Sequence, residues 1–189
     1  MILYLHGFRS SPLSMKSRLT SERMAQLGRS AEFIAPQLPA SPKQAMELAE
    51  NLVRGVPPEQ LTIIGSSLGG YYATWLAEKL GCKAVLLNPA IVPRLDLDKH
   101  VGMTSEYHSD KPFEFKREYI DELRAFEVER ITMPGRYFLL AATGDEVLDY
   151  RDMVKHYEGA RQHVIEGSDH AISEYAQYVD SVLAFCGVA

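Results

Sequence analysis

Three residues set far apart in the chain could together activate an oxygen for attack on a carbonyl. Ser67 is central in Gly65-Ser66-Ser67-Leu68-Gly69, after the apolar run Leu61–Ile64 and before a helix-like stretch containing Ala73, Trp75, Leu76 and Leu80. A serine on a sharp strand-to-helix turn is held in a strained backbone that lifts its hydroxyl out of the sheet. Glycines two positions to either side let the helix fold back on the strand. A Walker A loop would need a Lys after its last Gly, and here Tyr71 follows Gly70. A serine hydroxyl becomes a nucleophile only when a base takes its proton and a carboxylate orients that base. Two later apolar runs, Tyr137–Ala142 and Gln162–Ile165, lead into Thr143-Gly144-Asp145 and Glu166-Gly167-Ser168-Asp169-His170. Asp145 and His170 therefore follow Ser67 in the order serine, acid, histidine, each in a loop after a strand.

Other readings of the same residues stay open. Asp145 could be a turn or helix-cap residue, and His170 could cap the last helix. Glu146, Asp149 and Asp169 are alternative acids, although Asp169 adjoins His170 and its side chain should diverge from the imidazole. The oxyanion formed by attack needs two aimed donors. Leu68 N–H is one candidate, and Phe8 N–H is the other, in the loop His6-Gly7-Phe8-Arg9 that follows Ile2–Leu5. Arg9 could meet an anionic part of a substrate or sit in solvent, and solvent is expected. His163 falls mid-strand, His156 in a helical stretch, and His100 and His108 in an irregular interval. None has zinc-site spacing, so metal catalysis and cofactors are not expected.

The elements that must position these groups are short apolar runs alternating with helical periodicity. The runs are Ile2–Leu5, Glu32–Ala35, Leu61–Ile64, Ala84–Leu87, Tyr137–Ala141 and Gln162–Ile165, continuous rather than alternating, as in strands covered on both faces. Ser41-Pro42-Lys43-Gln44 reads as a helix N-cap with a capping-box Gln, followed by Ala45, Leu48, Ala49, Leu52 and Val53 on one face. Lys16–Leu27 and Leu68–Leu80 are helical stretches ended by Gly28 and Gly81. Ile172, Tyr175, Ala176, Val179, Val182 and Leu183 predict a C-terminal helix. The pattern is an α/β fold with a parallel sheet between helices. Only the interval from Ala90 to Met133 breaks it. It shows no convincing strand and reads as a surface excursion or a partly helical lid.

Length and composition agree with this reading. The chain has 189 residues, 46% apolar and 24% charged, enough for one domain with a buried core. A net charge of −5 argues against nucleic-acid binding, and no apolar run is long enough to span a membrane. Cys82 and Cys186 are the only cysteines, too few for a disulfide framework, so a soluble, cytoplasmic protein is expected.

With His6-Gly7-Phe8, the Gly65–Gly69 turn, Asp145 and Gly167-Ser168-Asp169-His170 in this order, the chain resembles the α/β-hydrolase superfamily. More narrowly, it is similar to the small bacterial YqiA-type esterases, through Tyr4-Leu5-His6-Gly7-Phe8, Ser10-Ser11-Pro12 and Tyr71-Tyr72 after the turn. The resemblance implies a cofactor-free carboxylesterase on small acyl esters, with acyl-CoA thioesters as a further substrate class. It implies Ser67 as nucleophile, Asp145 as acid and His170 as base. It also implies a reduced sheet of six parallel strands, with residues 90–133 as the cap. The chain lacks the H-G-G-G loop of many lipases. Arg94, Lys111, Lys116 and Arg117 are candidates for CoA phosphates or for a solvated surface. An amidase or peptidase would use the same residues, and a non-catalytic ligand sensor would keep the same pocket.

Overall fold

A computed structural model describes residues 1–92, 97–105 and 112–188. Arg94, Leu95, His108 and Lys111 lie outside the described residues. The first half of the chain runs through β1 (Ile2–Leu5), α1 (Met15–Gln26), β2 (Phe33–Ile34), α2 (Pro42–Leu52), β3 (Thr62–Ser66), α3 (Leu68–Leu80) and β4 (Lys83–Leu87). The second half runs through β5 (Gly102–Ser105), β6 (Pro112–Phe115), α4 (Arg117–Arg124), β7 (Tyr137–Ala142), α5 (Tyr150–His156), β8 (Arg161–Ile165) and α6 (Val179–Phe185). Six strands pair in parallel in the order β2-β1-β3-β4-β7-β8, the expected sheet.

Continuous apolar runs suit this sheet because helices cover both faces. Leu3, Leu5, Ile63, Leu86 and Leu139 pack toward Ala45, Met46 and Ala49 of α2 and Ala73, Leu76 and Ala77 of α3. Ile2, Tyr4, Ile64, Val85 and Leu140 face the other way, onto Met24 of α1 and Val179, Val182 and Leu183 of α6. Edge strand β8 departs from the expectation, since His163 and Val164 are exposed. Helix α3 spans the predicted residues and ends at Gly81 in the left-handed conformation. At α2, Ser41 accepts the Gln44 N–H at 3.2 Å. The carboxylate at this cap comes from Glu122, far along the chain, which accepts the Lys43 N–H at 2.9 Å and the Ser41 hydroxyl at 2.7 Å.

Three expectations need correction. The interval 90–133 does contain strands, because β5 and β6 pair antiparallel, with Met103 opposite Glu114 and Thr104 opposite Phe113. Its helical part is α4, where Leu123 is fully buried and its carbonyl accepts the Tyr71 hydroxyl at 2.6 Å. The C-terminal helix is shorter than its apolar spacing predicts: Ile172 has φ +50°, Tyr175–Gln177 form a single 3-10 turn, and α6 starts at Val179. Ile172 and Tyr175 are nevertheless fully buried, so burial alone imitates helical periodicity. Arg9 is not in solvent. It is half-buried, and its Nε donates to the Ser105 carbonyl of β5 at 2.7 Å.

Candidate active site

Parallel strands present all their C-terminal ends at one rim of the sheet, which is where loops can converge on a ligand. Ser67 leaves β3 with φ +53° and ψ −120°, a conformation rarely open to a residue with a β-carbon. Backbone bonds hold it there. Its N–H donates to Leu87 O at 3.1 Å, and its carbonyl accepts the Gly70 and Ala90 N–H groups at 2.9 and 3.0 Å. The flanking glycines are required for close approach. A β-carbon at Gly65 would lie 2.2 Å from Gly69 O, and one at Gly69 would lie 2.0 Å from Leu5 O.

The loops after β7 and β8 bring the other two groups to this serine. His170 Nε2 lies 3.1 Å from Ser67 Oγ, and His170 Nδ1 lies 2.8 Å from Asp145 Oδ2. The Asp145 side chain is fully buried, and its Oδ1 accepts the Val147 and Leu148 N–H groups, each at 2.8 Å. That leaves Oδ2 to face the imidazole, which favours the tautomer with the proton on Nδ1 and a lone pair on Nε2. The alternative acids are engaged elsewhere. Asp169 turns to the Ser173 N–H and hydroxyl at 3.0 and 2.6 Å, bonds that hold its carboxyl below the usual range. Asp149 caps α5 and pairs with Arg151. Glu146 does touch the site, but through the backbone: it accepts the His170 N–H at 3.0 Å.

Phe8 and Leu68 both line a cleft of about 480 Å³ around Ser67 and His170. Leu68 opens α3 directly after the serine. The loop bearing Phe8 is held by His6, which faces the Gly7 carbonyl through Nδ1 at 2.9 Å and accepts the Leu38 N–H at Nε2 at 3.0 Å. Leu97, Lys99 and His100 also line the cleft, while Phe8 meets Phe113 and Phe115 edge-on at 5.3 and 4.9 Å. A larger groove of about 1170 Å³ lies across Val147 and Leu148, and contains none of Ser67, Asp145 and His170. Of the basic residues considered for phosphate, Arg117 pairs with Asp98 at 2.9 Å and Lys116 lies 3.9 Å from Glu118. Among the described residues no three His, Cys, Asp or Glu side chains gather to hold a metal ion. Nor is any described helix long and apolar enough to cross a membrane.

Two residues at the site have no role in the sequence reading. Asn88 follows β4 with φ +44° and is fully buried. Its Nδ2 donates to the Asp169 and His170 carbonyls at 3.0 and 3.1 Å, and its Oδ1 accepts the Ala142 N–H at 2.8 Å. One amide thereby ties the histidine loop to the strand ends. The only local signal is an Asn at the end of a buried strand, a residue type that tolerates the left-handed region. Lys16 of α1 is buried beside the cleft, with Nζ donating to Ala171 O at 2.8 Å. Burial pushes its ammonium down to about 8 against the opposing pull of Asp169 and Asp145.

The profile of the uncharacterised protein family UPF0227 matches residues 1–187 of this chain. A UPF0227 protein of Vibrio vulnificus strain CMCP6 is 24% identical over 98% of each chain. Mouse alpha/beta hydrolase domain-containing protein 10 superposes with a TM-score of 0.71 at 16% identity, over 97% of this chain and 89% of that one. The esterase domain of a Rhodothermus marinus protein gives 0.68 at 19% identity, over 97% and 85% of the two chains. The monoacylglycerol lipase of Paleococcus ferrophilus gives 0.67 at 16% identity, over 100% and 94%. At such identities the likeness is one of fold, and the fold is that of the α/β hydrolases.

Proposed function

This chain belongs to the family UPF0227, and on that footing we propose that it is a serine carboxylesterase acting through an acyl-enzyme on Ser67. The observation that supports this reading best is the unbroken run from Asp145 Oδ2 through the imidazole of His170 to Ser67 Oγ, at 2.8 and 3.1 Å. Ser67 Oγ attacks the acyl carbonyl carbon as its proton passes to His170 Nε2, and Asp145 stabilises the imidazolium. The negative oxygen of the tetrahedral intermediate is met by the Phe8 and Leu68 N–H groups. As the intermediate collapses, the carbon–oxygen bond to the alcohol breaks and the leaving oxygen takes the proton from His170. Water then attacks the acyl-enzyme, giving its proton to the same nitrogen. Ser67 leaves with that proton and the carboxylic acid is released.

The distances at rest among Asp145, His170 and Ser67 support the reading, because groups already in place lower a barrier without rearrangement. Leu97, Lys99 and His100 form part of the cleft wall, which supports reading the described part of the excursion as a cap. Thioesters such as acyl-CoA enter by the same steps, since a thiolate leaves readily. No step calls on a metal or cofactor.

A fluorophosphonate probe tests the nucleophile. Folded wild-type protein is expected to form an adduct that Ser67→Ala abolishes. On short aryl esters, His170→Ala should lower turnover about 10⁴-fold or more, and Asp145→Asn about 10³-fold or more. Absence of labelling on folded wild type would favour a ligand-sensing protein, and near-normal turnover of His170→Ala would remove His170 as base.

A further inference from the structure

The loop after β1 is tied at its two ends to the segment after β2 and at its middle to the excursion. Gly7 lies against Ser67: a β-carbon there would be 3.2 Å from Ser67 Cβ. Before it, His6 Nε2 accepts the Leu38 N–H at 3.0 Å, and after it Gln37 Nε2 donates to the Ser10 carbonyl at 3.3 Å. Between these ties the Phe8 N–H makes no hydrogen bond to any described residue, although Phe8 lines the same cleft as Ser67. Arg9 follows at φ +58°, a left-handed conformation that a residue with a β-carbon keeps only where its surroundings impose it.

What imposes it comes from residues much later in the chain. Arg9 Nε donates to the Ser105 carbonyl of β5 at 2.7 Å, a charge-assisted bond to an acceptor that the pairing of Ser105 with Pro112 of β6 keeps in place. The Phe8 ring lies 5.6 Å from His100, 5.3 Å from Phe113 and 4.9 Å from Phe115. Phe115 is buried and meets Tyr119 of α4 at 5.7 Å, and Leu123 of the same helix accepts the Tyr71 hydroxyl. A continuous run of contacts therefore leads from α3, which opens directly after Ser67, through α4 and the β5–β6 hairpin to Phe8 and Arg9.

On the reading of Ser67 as nucleophile and Phe8 N–H as oxyanion donor, we propose that Arg9 is a positioning residue. Its bond to Ser105 imposes the left-handed turn that keeps the Phe8 N–H beside Ser67, so the excursion completes the oxyanion hole. The Leu68 N–H needs no such support, because it opens α3 and backbone bonds already fix Ser67. One donor thus belongs to the sheet rim, and the other is held by a side chain reaching to the excursion. Negative charge builds on the substrate oxygen only as Ser67 attacks, so a displaced Phe8 N–H costs turnover more than binding.

Two variants test this. Arg9→Met keeps most of the side chain and loses the donor, while Arg9→Gly loses the donor and suits φ +58°, so it decides if the first does not fold. On 4-nitrophenyl butanoate, with active sites counted by complete fluorophosphonate labelling, both should lower kcat about tenfold or more and leave KM within about twofold. Inhibition by an aryl trifluoromethyl ketone should weaken in parallel with kcat. Ser67 Oγ adds to the carbonyl carbon of that probe, its proton passes to His170, and the carbonyl oxygen becomes an anion in the same hole. A purely structural role would reduce the number of labelled sites without changing kcat per site or the ketone's affinity, and that result overturns the assignment. A rise in KM alone also overturns it, by making Arg9 a contact of the substrate. Phe113→Ala leaves the bond to Ser105 in place, and a kcat loss there equal to that of Arg9→Met would overturn it as well. No turnover of any ester by wild type, together with no fluorophosphonate adduct, removes the hydrolase reading and this proposal with it.

Discussion

At the rim of the sheet, main chain touches main chain. A β-carbon on Gly69 would lie 2.0 Å from Leu5 O and one on Gly65 2.2 Å from Gly69 O, so β1, β3 and α3 meet there without intervening side chains. The described residues between 97 and 126 are held differently, by side chains that reach across. Phe113 and Phe115 lean on Phe8, Phe126 stands edge-on to Trp75 at 4.9 Å, Glu122 bonds to the start of α2, and Arg9 reaches Ser105. Backbone contacts admit almost no substitution, whereas aromatic contacts can be exchanged at modest cost. A reacting group needs the first kind of support and a substrate-facing wall can use the second, so residues can change over the cleft without disturbing Ser67.

The hardest test of this contrast is Gly69→Ala. Its new β-carbon has nowhere to go, and a loss of more than about 5 kcal/mol, or no soluble protein, is expected in urea melts. A melt like that of wild type would break the comparison. Next comes Asn88→Ala, which strips three bonds from a buried amide and places alanine at φ +44°; about 4 kcal/mol is expected. Asn88→Asp keeps the acceptor for Ala142 N–H but sets a buried carboxylate oxygen against the Asp169 and His170 carbonyls, and should cost at least as much.

Lys16 sharpens the comparison through pH. Its pKa is about 8 in the fold against 10.5 for an ordinary lysine, so above pH 8 the folded protein sheds a proton that the unfolded chain still holds. Wild-type stability relative to Lys16→Met should therefore rise between pH 8 and 10.5, by on the order of 3 kcal/mol over the full span. Denaturant melts at pH 7 and pH 10 measure it, and a constant difference would contradict the burial of this ammonium. The smallest effect belongs to the excursion. Phe113→Ala removes one edge-on contact to Phe8 and should cost about 1 kcal/mol, with KM changing more than kcat.

These two kinds of support also explain what could be read along the chain. The strands, the bounds of α3 and the turn at Ser67 are legible because each depends on neighbours within a few positions: an apolar run, a glycine at a fixed offset, a left-handed stop at Gly81. Strands β5 and β6 escape because neither is a continuous apolar run, one opening with Gly and the other with Pro, and their partner is each other rather than the sheet. The irregular path from Ile172 to Tyr178 escapes for the opposite reason. Its apolar residues have helical spacing, but the chain there has just carried His170 toward Ser67 and turns through Ile172 at φ +50°. Arg9 reads as a surface residue until Ser105 is brought beside it.

From the order of residues alone follow the parallel sheet, its two apolar faces, and Ser67, Asp145 and His170 as groups destined for one rim. Parallel strands send every such loop to the same side, so no knowledge of distances is needed. That Asn88 clamps the histidine loop, and that Lys16 of α1 meets the Ala171 carbonyl beside the cleft, only the tertiary structure decides. Their meeting depends on how α1 and β4 pack against the sheet, and no fixed spacing along the chain encodes a contact between side chains from separate elements.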